Sequence, residues 1–290
     1  MGNAIPDSAK SGDPSARLVL HGSPPNGDTA SSGSPFVAKV ELFLRINGLD
    51  YDADVDWRGP KGKIPWITHG NVVLGDSTFI IDYLKNTYRS TTKIKEPETP
   101  MQKAINTACL HMCEDNLMYG IIYYQFAHPE GFLVTKQRLE ARTPVPFRWI
   151  LPALAQLQGQ SILHKQGLGR HSDKDVSFIL SSSLSALSTY LGNGKYFFGD
   201  APCETDCIAF AFLDQYLHDE ACAAGGTLVK QFPNLKDFVD RLRARYFPEA
   251  RPSKLKTAGA RKARGGWTVL LLVGSGVSCL AAAAIVCSRR

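Results

Sequence analysis

The sequence predicts an α/β domain followed by an all-helical domain, with one transmembrane helix after them. Three observations carry this prediction. Short β-type apolar runs alternate with helix punctuation over residues 17–87, apolar residues recur at 3.6-residue spacing beyond residue 97, and residues 267–287 contain no charge. The 290 residues are 44% apolar and 21% charged, with 14 Phe, 10 Tyr and 4 Trp to fill a core, which rules out a wholly disordered chain.

Residues 1–15 are small and polar, without periodicity, and are expected to be disordered. RLVLHG (17–22) reads as a strand running into the loop SPPNGDTASSG. Ser34-Pro35 then opens a helix with Phe36, Val40, Phe43 and Leu44 on one face, closed by Asn47-Gly48. DYDADVDW alternates as a second strand, and KIPWITHGNVVLGD supplies two more around a His-Gly-Asn turn. A helix follows from Ser77. Only WRGPKG separates the second strand from Ile64, so the helix expected there is short or missing.

KEPETP (95–100) marks the boundary to the second architecture. Helical periodicity covers 101–125, 146–160, 173–191, 206–218 and 233–246. The domains are therefore 16–96 and 97–250, followed by a basic linker at 251–266 and a span at 267–287. GLGRHSDKD (167–175) lacks phosphate-loop spacing and reads as a solvated interhelical loop; no metal site is expected.

The run from Trp267 to Cys287 would reach about 31 Å as a helix, the thickness of a bilayer core. It is expected to be a tail anchor that leaves the body in the cytosol, since the larger basic cluster lies upstream of it. Its modest hydrophobicity and short basic end favour the mitochondrial outer membrane, with endoplasmic reticulum and peroxisome left open. The net charge of +6 belongs to this region: eight of the 33 basic residues lie at 251–290, leaving 25 against 27 acidic residues elsewhere. The body thus offers no footprint for nucleic acid. Seven cysteines, two of them in the apolar run, point to buried, reduced thiols rather than a disulfide framework.

The segments SPFVAKVELFLRINGLDYD, GPKGKIPWITHGNVVLGDSTFIIDYL and FPNLKDFVDRLRARYFPEA resemble the failed axon connections family, a metaxin-related branch of the glutathione S-transferase superfamily. The resemblance covers about residues 17–250. It implies a thioredoxin-like first domain and the transferase type of helical bundle. It also implies a site for glutathione, as substrate or ligand and with no other cofactor. Ser34 matches the position that faces the glutathione sulfur. Lowering that thiol by about two pKa units is worth ~2.7 kcal/mol, which a helix N-terminus and one charge-assisted hydrogen bond can supply. The plainer reading of Ser34 is a helix cap.

Ile64-Pro65 resembles the cis-proline step that offers backbone to the cysteinyl group. Asp76-Ser77 resembles the pair that grips the γ-glutamyl end, and also reads as an N-cap. Lys63 would reach the glycine carboxylate. Tyr119, Tyr123 and Tyr124 would line an electrophile pocket, although such stripes also make core. Residues 1–100 contain no cysteine, so mixed-disulfide chemistry is excluded from this site. In PCETDC, Cys203 stands where the resemblance implies Ser or Thr in a helix cap, and only Asp206 matches. Two functions stay open: a membrane-tethered glutathione transferase, and a non-catalytic, metaxin-like adaptor. Either leaves room for a homodimer or a partner protein.

Overall fold

A computed structural model describes residues 12–248, together with 268–269 and 285–286. The first domain is built on four strands: β1 (Leu18–Gly22), β2 (Asp52–Val55), β3 (Trp66–His69) and β4 (Val72–Gly75). Their order is β2-β1-β3-β4, with β1 parallel to β2 and antiparallel to β3, and β3 antiparallel to β4. Helix α1 (Pro35–Asn47) makes the crossover between the parallel strands, and Gly48 ends it in the left-handed conformation at φ 66°, where glycine carries no Cβ penalty. Helix α2 (Ser77–Thr87) follows β4. Between β2 and β3 the missing helix is reduced to one 3₁₀ turn, Pro60–Gly62, as the short spacing predicts.

Eleven of the thirteen residues of α1 are buried, including Lys39 and Glu41. A helix buried on nearly every side must be covered twice. One cover is the first domain's own sheet and α2, and the other is α8 (Glu204–His218) of the helical domain, where every residue from Glu204 to Tyr216 is buried. Phe36 meets Phe212 edge to face across this boundary, ring centroids 5.6 Å apart.

The helical domain contains α3 (Pro100–His111), α4 (Met118–Phe126), α5 (Pro129–Arg142), α6 (Leu151–Gln166), α7 (Asp173–Leu191), α8, α9 (Ala223–Val229) and α10 (Pro233–Tyr246). A π-helical turn at Met112–Leu117 joins α3 to α4, so the expected helix at 101–125 is continuous but not uniformly wound. Two helices escape the periodicity argument. Helix α5 buries only Gly131 and Thr135, too little to leave an apolar stripe, and α9 is short and glycine-rich. Helix α6 begins five residues later than the periodicity of 146–160 suggests. The residues before it form a separate 3₁₀ turn, Phe147–Trp149, after Pro144 and Pro146, neither of which can donate a helical hydrogen bond.

Cys109, Cys113, Cys203, Cys207 and Cys222 are free and buried. The N-terminal segment up to residue 11 and most of the predicted span at 267–287, Trp267 and Cys287 included, lie outside the described residues. Within that span, Thr268–Val269 and Ile285–Val286 pair as antiparallel strands (β5, β6) rather than lying in a helix. Among the described residues no helix is long and apolar enough to cross a membrane.

Candidate glutathione site

The sheet register aligns one end of β1, β3 and β4. His21 at the end of β1 pairs with Trp66 at the start of β3, and Trp66 pairs with Gly75 at the end of β4. The loop after β1 leads to Ser34, the residues before β3 are Lys63, Ile64 and Pro65, and Asp76-Ser77 follow β4. The Asp76 amide ties the last two segments together by donating to the Pro65 carbonyl, and Lys39, one turn into α1, reaches Ser77 at the start of α2.

Ser34 occupies the N-cap position with extended backbone, φ −111° and ψ 121°, yet its side chain makes no capping hydrogen bond. Its carbonyl accepts the amides of Val37 and Ala38, each at 3.1 Å, and its own amide donates to Ser32 Oγ at 3.1 Å. The half-buried hydroxyl is thus not consumed by the helix it precedes. The Ile64-Pro65 bond is cis, and the Pro65 carbonyl accepts the Asp76 amide at 3.3 Å. Lys63 is half-buried beside this step.

Asp76 sits at φ 84°, among the described residues the only non-glycine residue with positive φ, a conformation that costs on the order of 1–3 kcal/mol. Its carboxylate caps α2 by accepting the Thr78 amide at 3.0 Å. Ser77 is buried. Its hydroxyl accepts a hydrogen bond from Lys39 Nζ at 3.5 Å, and the same ammonium donates to Thr78 Oγ1 at 3.3 Å and Glu114 Oε1 at 3.2 Å. Lys39 is fully buried, so a positive charge lies directly beneath the start of α2, where the helix end is itself positive. Sequence reasoning missed Lys39. The available signal was a lysine three residues after Phe36 and four before Phe43, on the apolar face of α1.

The loop before Ser34 is held from the other domain. The Ala30 amide donates to Asp214 Oδ2 at 2.7 Å, Gln215 Nε2 donates to the Ser32 carbonyl at 2.8 Å, and the Asp28 amide donates to the His218 carbonyl at 3.0 Å. Asp214 is fully buried and also accepts from Arg243 Nη1 at 2.6 Å. At the same end of the sheet the His21 ring stacks on Trp66, centroids 3.7 Å apart. Burial holds the His21 pKa below its usual value, despite Asp54 nearby.

The tyrosine stripe divides. Tyr119 is half-buried, whereas Tyr123 and Tyr124 are 5% and 3% exposed. Tyr123 donates to Asp173, and Tyr124 packs edge to face on Tyr216. Burial pushes the Tyr124 phenol up to about 12. These two rings fill the space between α4 and its neighbours, so their contribution is packing and not an open pocket. In the cap of α8, the carboxylate of Asp206 accepts the Cys203 amide at 2.6 Å and the Phe197 amide at 2.9 Å, the half of the motif that the sequence retains.

Residues 35–131 match the family model for the glutathione S-transferase N-terminal domain, and residues 180–242 match that for the glutathione S-transferase C-terminal domain. The chain belongs to the glutathione S-transferase superfamily. It is 31% identical over 231 residues to Failed axon connections of Drosophila melanogaster, an alignment covering 74% of this chain and 55% of that protein. The chain thus spans about half the length of that relative. It is 27% identical to the isoprene-epoxide glutathione S-transferase of Rhodococcus sp. (strain AD45), covering 73% of this chain and 92% of that enzyme. Human Metaxin-2 is 26% identical, with coverage of 74% and 83%.

Among solved structures, glutathione transferase GSTFuA3 of Phanerochaete chrysosporium superposes with a TM-score of 0.54 at 16% identity, over 80% of this chain and 98% of that one. A Pseudomonas fluorescens pf-5 family member solved with two glutathione bound gives 0.51 at 17% identity, over 80% and 90%. At such identities the likeness is one of fold.

Proposed function

We propose that this glutathione S-transferase-like chain binds glutathione where α1 and α2 begin, and conjugates its sulfur to apolar electrophiles. The observation that carries the reading is the Ser34 hydroxyl, which stands at the positive end of α1 without capping it. It would donate to the thiolate. The cis Ile64-Pro65 step offers backbone to the cysteinyl group, and Asp76 and Ser77 receive the γ-glutamyl end, backed by the Lys39 ammonium. Lys63 would meet the glycine carboxylate. The Rhodococcus relative, named as a glutathione transferase, supports the reading. A direct test takes residues 16–250, measures glutathione binding and conjugation to a generic electrophile, and repeats both with Ser34→Ala. Binding with conjugation that falls at least ten-fold in the variant, on the order of 1.4 kcal/mol of transition-state stabilisation, is the expected result. Equal conjugation reduces Ser34 to an element of the chain turn.

A non-catalytic adaptor is the second reading. The similarity to Failed axon connections and Metaxin-2 favours it, as does the burial of Tyr123 and Tyr124, which removes two of the three expected electrophile contacts. Absence of glutathione binding by the body selects this reading.

For both readings we place the chain at a membrane through residues 267–287, with the body in the cytosol and the mitochondrial outer membrane favoured, on the length and flanking charge of that run. Deleting 267–290 from a chain tagged at its N-terminus should release it from membranes.

A further inference from the structure

Residues 132–179 lie between the two segments that match the family models, and they contain most of α5 and all of α6. Helix α6 is apolar on two sides. Its inner side packs on α4: Leu163 is fully buried, Ala155 and Ile162 rest against the core, and a Cβ on Gly159 would come within 2.6 Å of Phe126. Its outer side carries Ile150, Leu154 and Leu157 at the i, i+4, i+7 spacing of one helical face, 55%, 43% and 64% exposed. Trp149, beside them, is 67% exposed, and Val145 is 56% exposed. Half of the ten large apolar side chains that stand out into solvent among the described residues therefore fall within positions 145–157. Scattered apolar residues need no explanation, but a contiguous patch does.

The chain segment that forms this face carries charge of one sign. From residue 141 to residue 172 there is no Asp or Glu, while Arg142, Arg148, Lys165 and Arg170 are present; Glu140, bordering the stretch, lies within 3.9 Å of Lys136. We infer that the outer face of α6 and the turn before it rest on an anionic bilayer surface. Trp149 would sit at headgroup level, Ile150, Leu154 and Leu157 would reach the acyl boundary, and the arginines would meet lipid phosphates. A second copy of this chain is the poorer occupant. A two-fold contact would bring the same all-basic segment against itself, with no carboxylate inside it to compensate.

This inference rests on the membrane placement proposed above. It goes further in stating which side of the body faces the lipid. The 18 residues between Pro248 and Trp267 can extend to about 60 Å, enough to let any side of the body reach the surface, so the tether alone does not choose the face.

The full chain is reconstituted into phosphatidylcholine vesicles, with and without phosphatidylserine, and tryptophan emission is read with brominated acyl chains. The expected result is a quenched component that disappears in Trp149→Phe, grows with phosphatidylserine, and falls roughly ten-fold in population when Leu154→Ser and Leu157→Ser are combined. Phe178→Ser, which removes an exposed ring on α7, should leave it unchanged. If the chain floats with vesicles but no component depends on Trp149, the face does not touch lipid, while the membrane placement stands. If the chain does not float at all, both fall. If the Leu154/Leu157 pair of changes instead dissolves a dimer seen by sedimentation, the face belongs to a second copy and the inference is overturned.

Discussion

The buried carboxylate of Asp214 accepts the backbone amide of Ala30 at 2.7 Å, joining α8 to the loop that delivers Ser34 across 184 residues of sequence. The same carboxylate takes Arg243 Nη1 at 2.6 Å, so one side chain fixes both the loop and α10. Asp214→Ala should leave a guanidinium and an amide without their partner, lowering stability by about 3 kcal/mol in urea unfolding. Hydrogen exchange at residues 28–33 should rise with it. A loss below about 1 kcal/mol would show that the loop holds itself.

Ser34 and Thr99 both precede a helix, but only Thr99 caps one. Thr99 Oγ1 accepts the Gln102 amide at 3.1 Å, and Gln102 Oε1 accepts the Thr99 amide at 3.2 Å. Thr99→Ala should cost about 1 kcal/mol and Ser34→Ala less than about half of that in thermal or urea unfolding. Equal losses would mean that the Ser34 hydroxyl caps α1 in solution.

Asp206 gives a pH signature. Burial pushes its carboxyl up to about 6, against the amides of Cys203 and Phe197, which pull the other way. The folded value lies above the unfolded one, so the folded chain holds more protons between about pH 4 and 6. This group's contribution is therefore complete below pH 4 and is lost as pH rises through 6, a swing on the order of 2–3 kcal/mol. Asp206→Asn should remove that component: the stability difference, wild type minus variant, should fall from pH 4 to pH 7. A flat difference would place the carboxyl near its ordinary range.

Gly131 tests packing against propensity. In an exposed helix Gly→Ala gains about 1 kcal/mol, but here a Cβ would run into the carbonyl oxygens of Tyr124 and Ala221, which belong to backbone and cannot swing away. Gly131→Ala should destabilise by about 1–3 kcal/mol in urea unfolding. Stabilisation would mean that α5 slides freely over α4.

Much of the architecture was legible because it is written locally. Ser34-Pro35 and Asn47-Gly48 bracket α1 with residues whose backbone preferences act within one turn, and Leu235, Phe238, Val239 and Leu242 announce α10 by spacing alone. Helix α5 was illegible for the converse reason: its buried positions are Gly131 and Thr135, which carry no hydrophobic signal. The candidate site was legible as positions through the family resemblance, but not as geometry. No local pattern says that Lys39 ends beneath Ser77, or that Tyr123 and Tyr124 turn into the core while Tyr119 stays half-exposed.

The sequence by itself determined the two architectures and the helix punctuation, since each depends on forces acting over a few residues; the candidate site positions came from the family resemblance. Tertiary structure alone decided that the Ser34 hydroxyl is left out of the helix cap, that the preceding loop hangs on Asp214, and that α6 keeps a second apolar face outside. Those outcomes depend on which distant groups compete for the same hydrogen bond or the same buried surface, and that competition exists only once the chain has closed on itself.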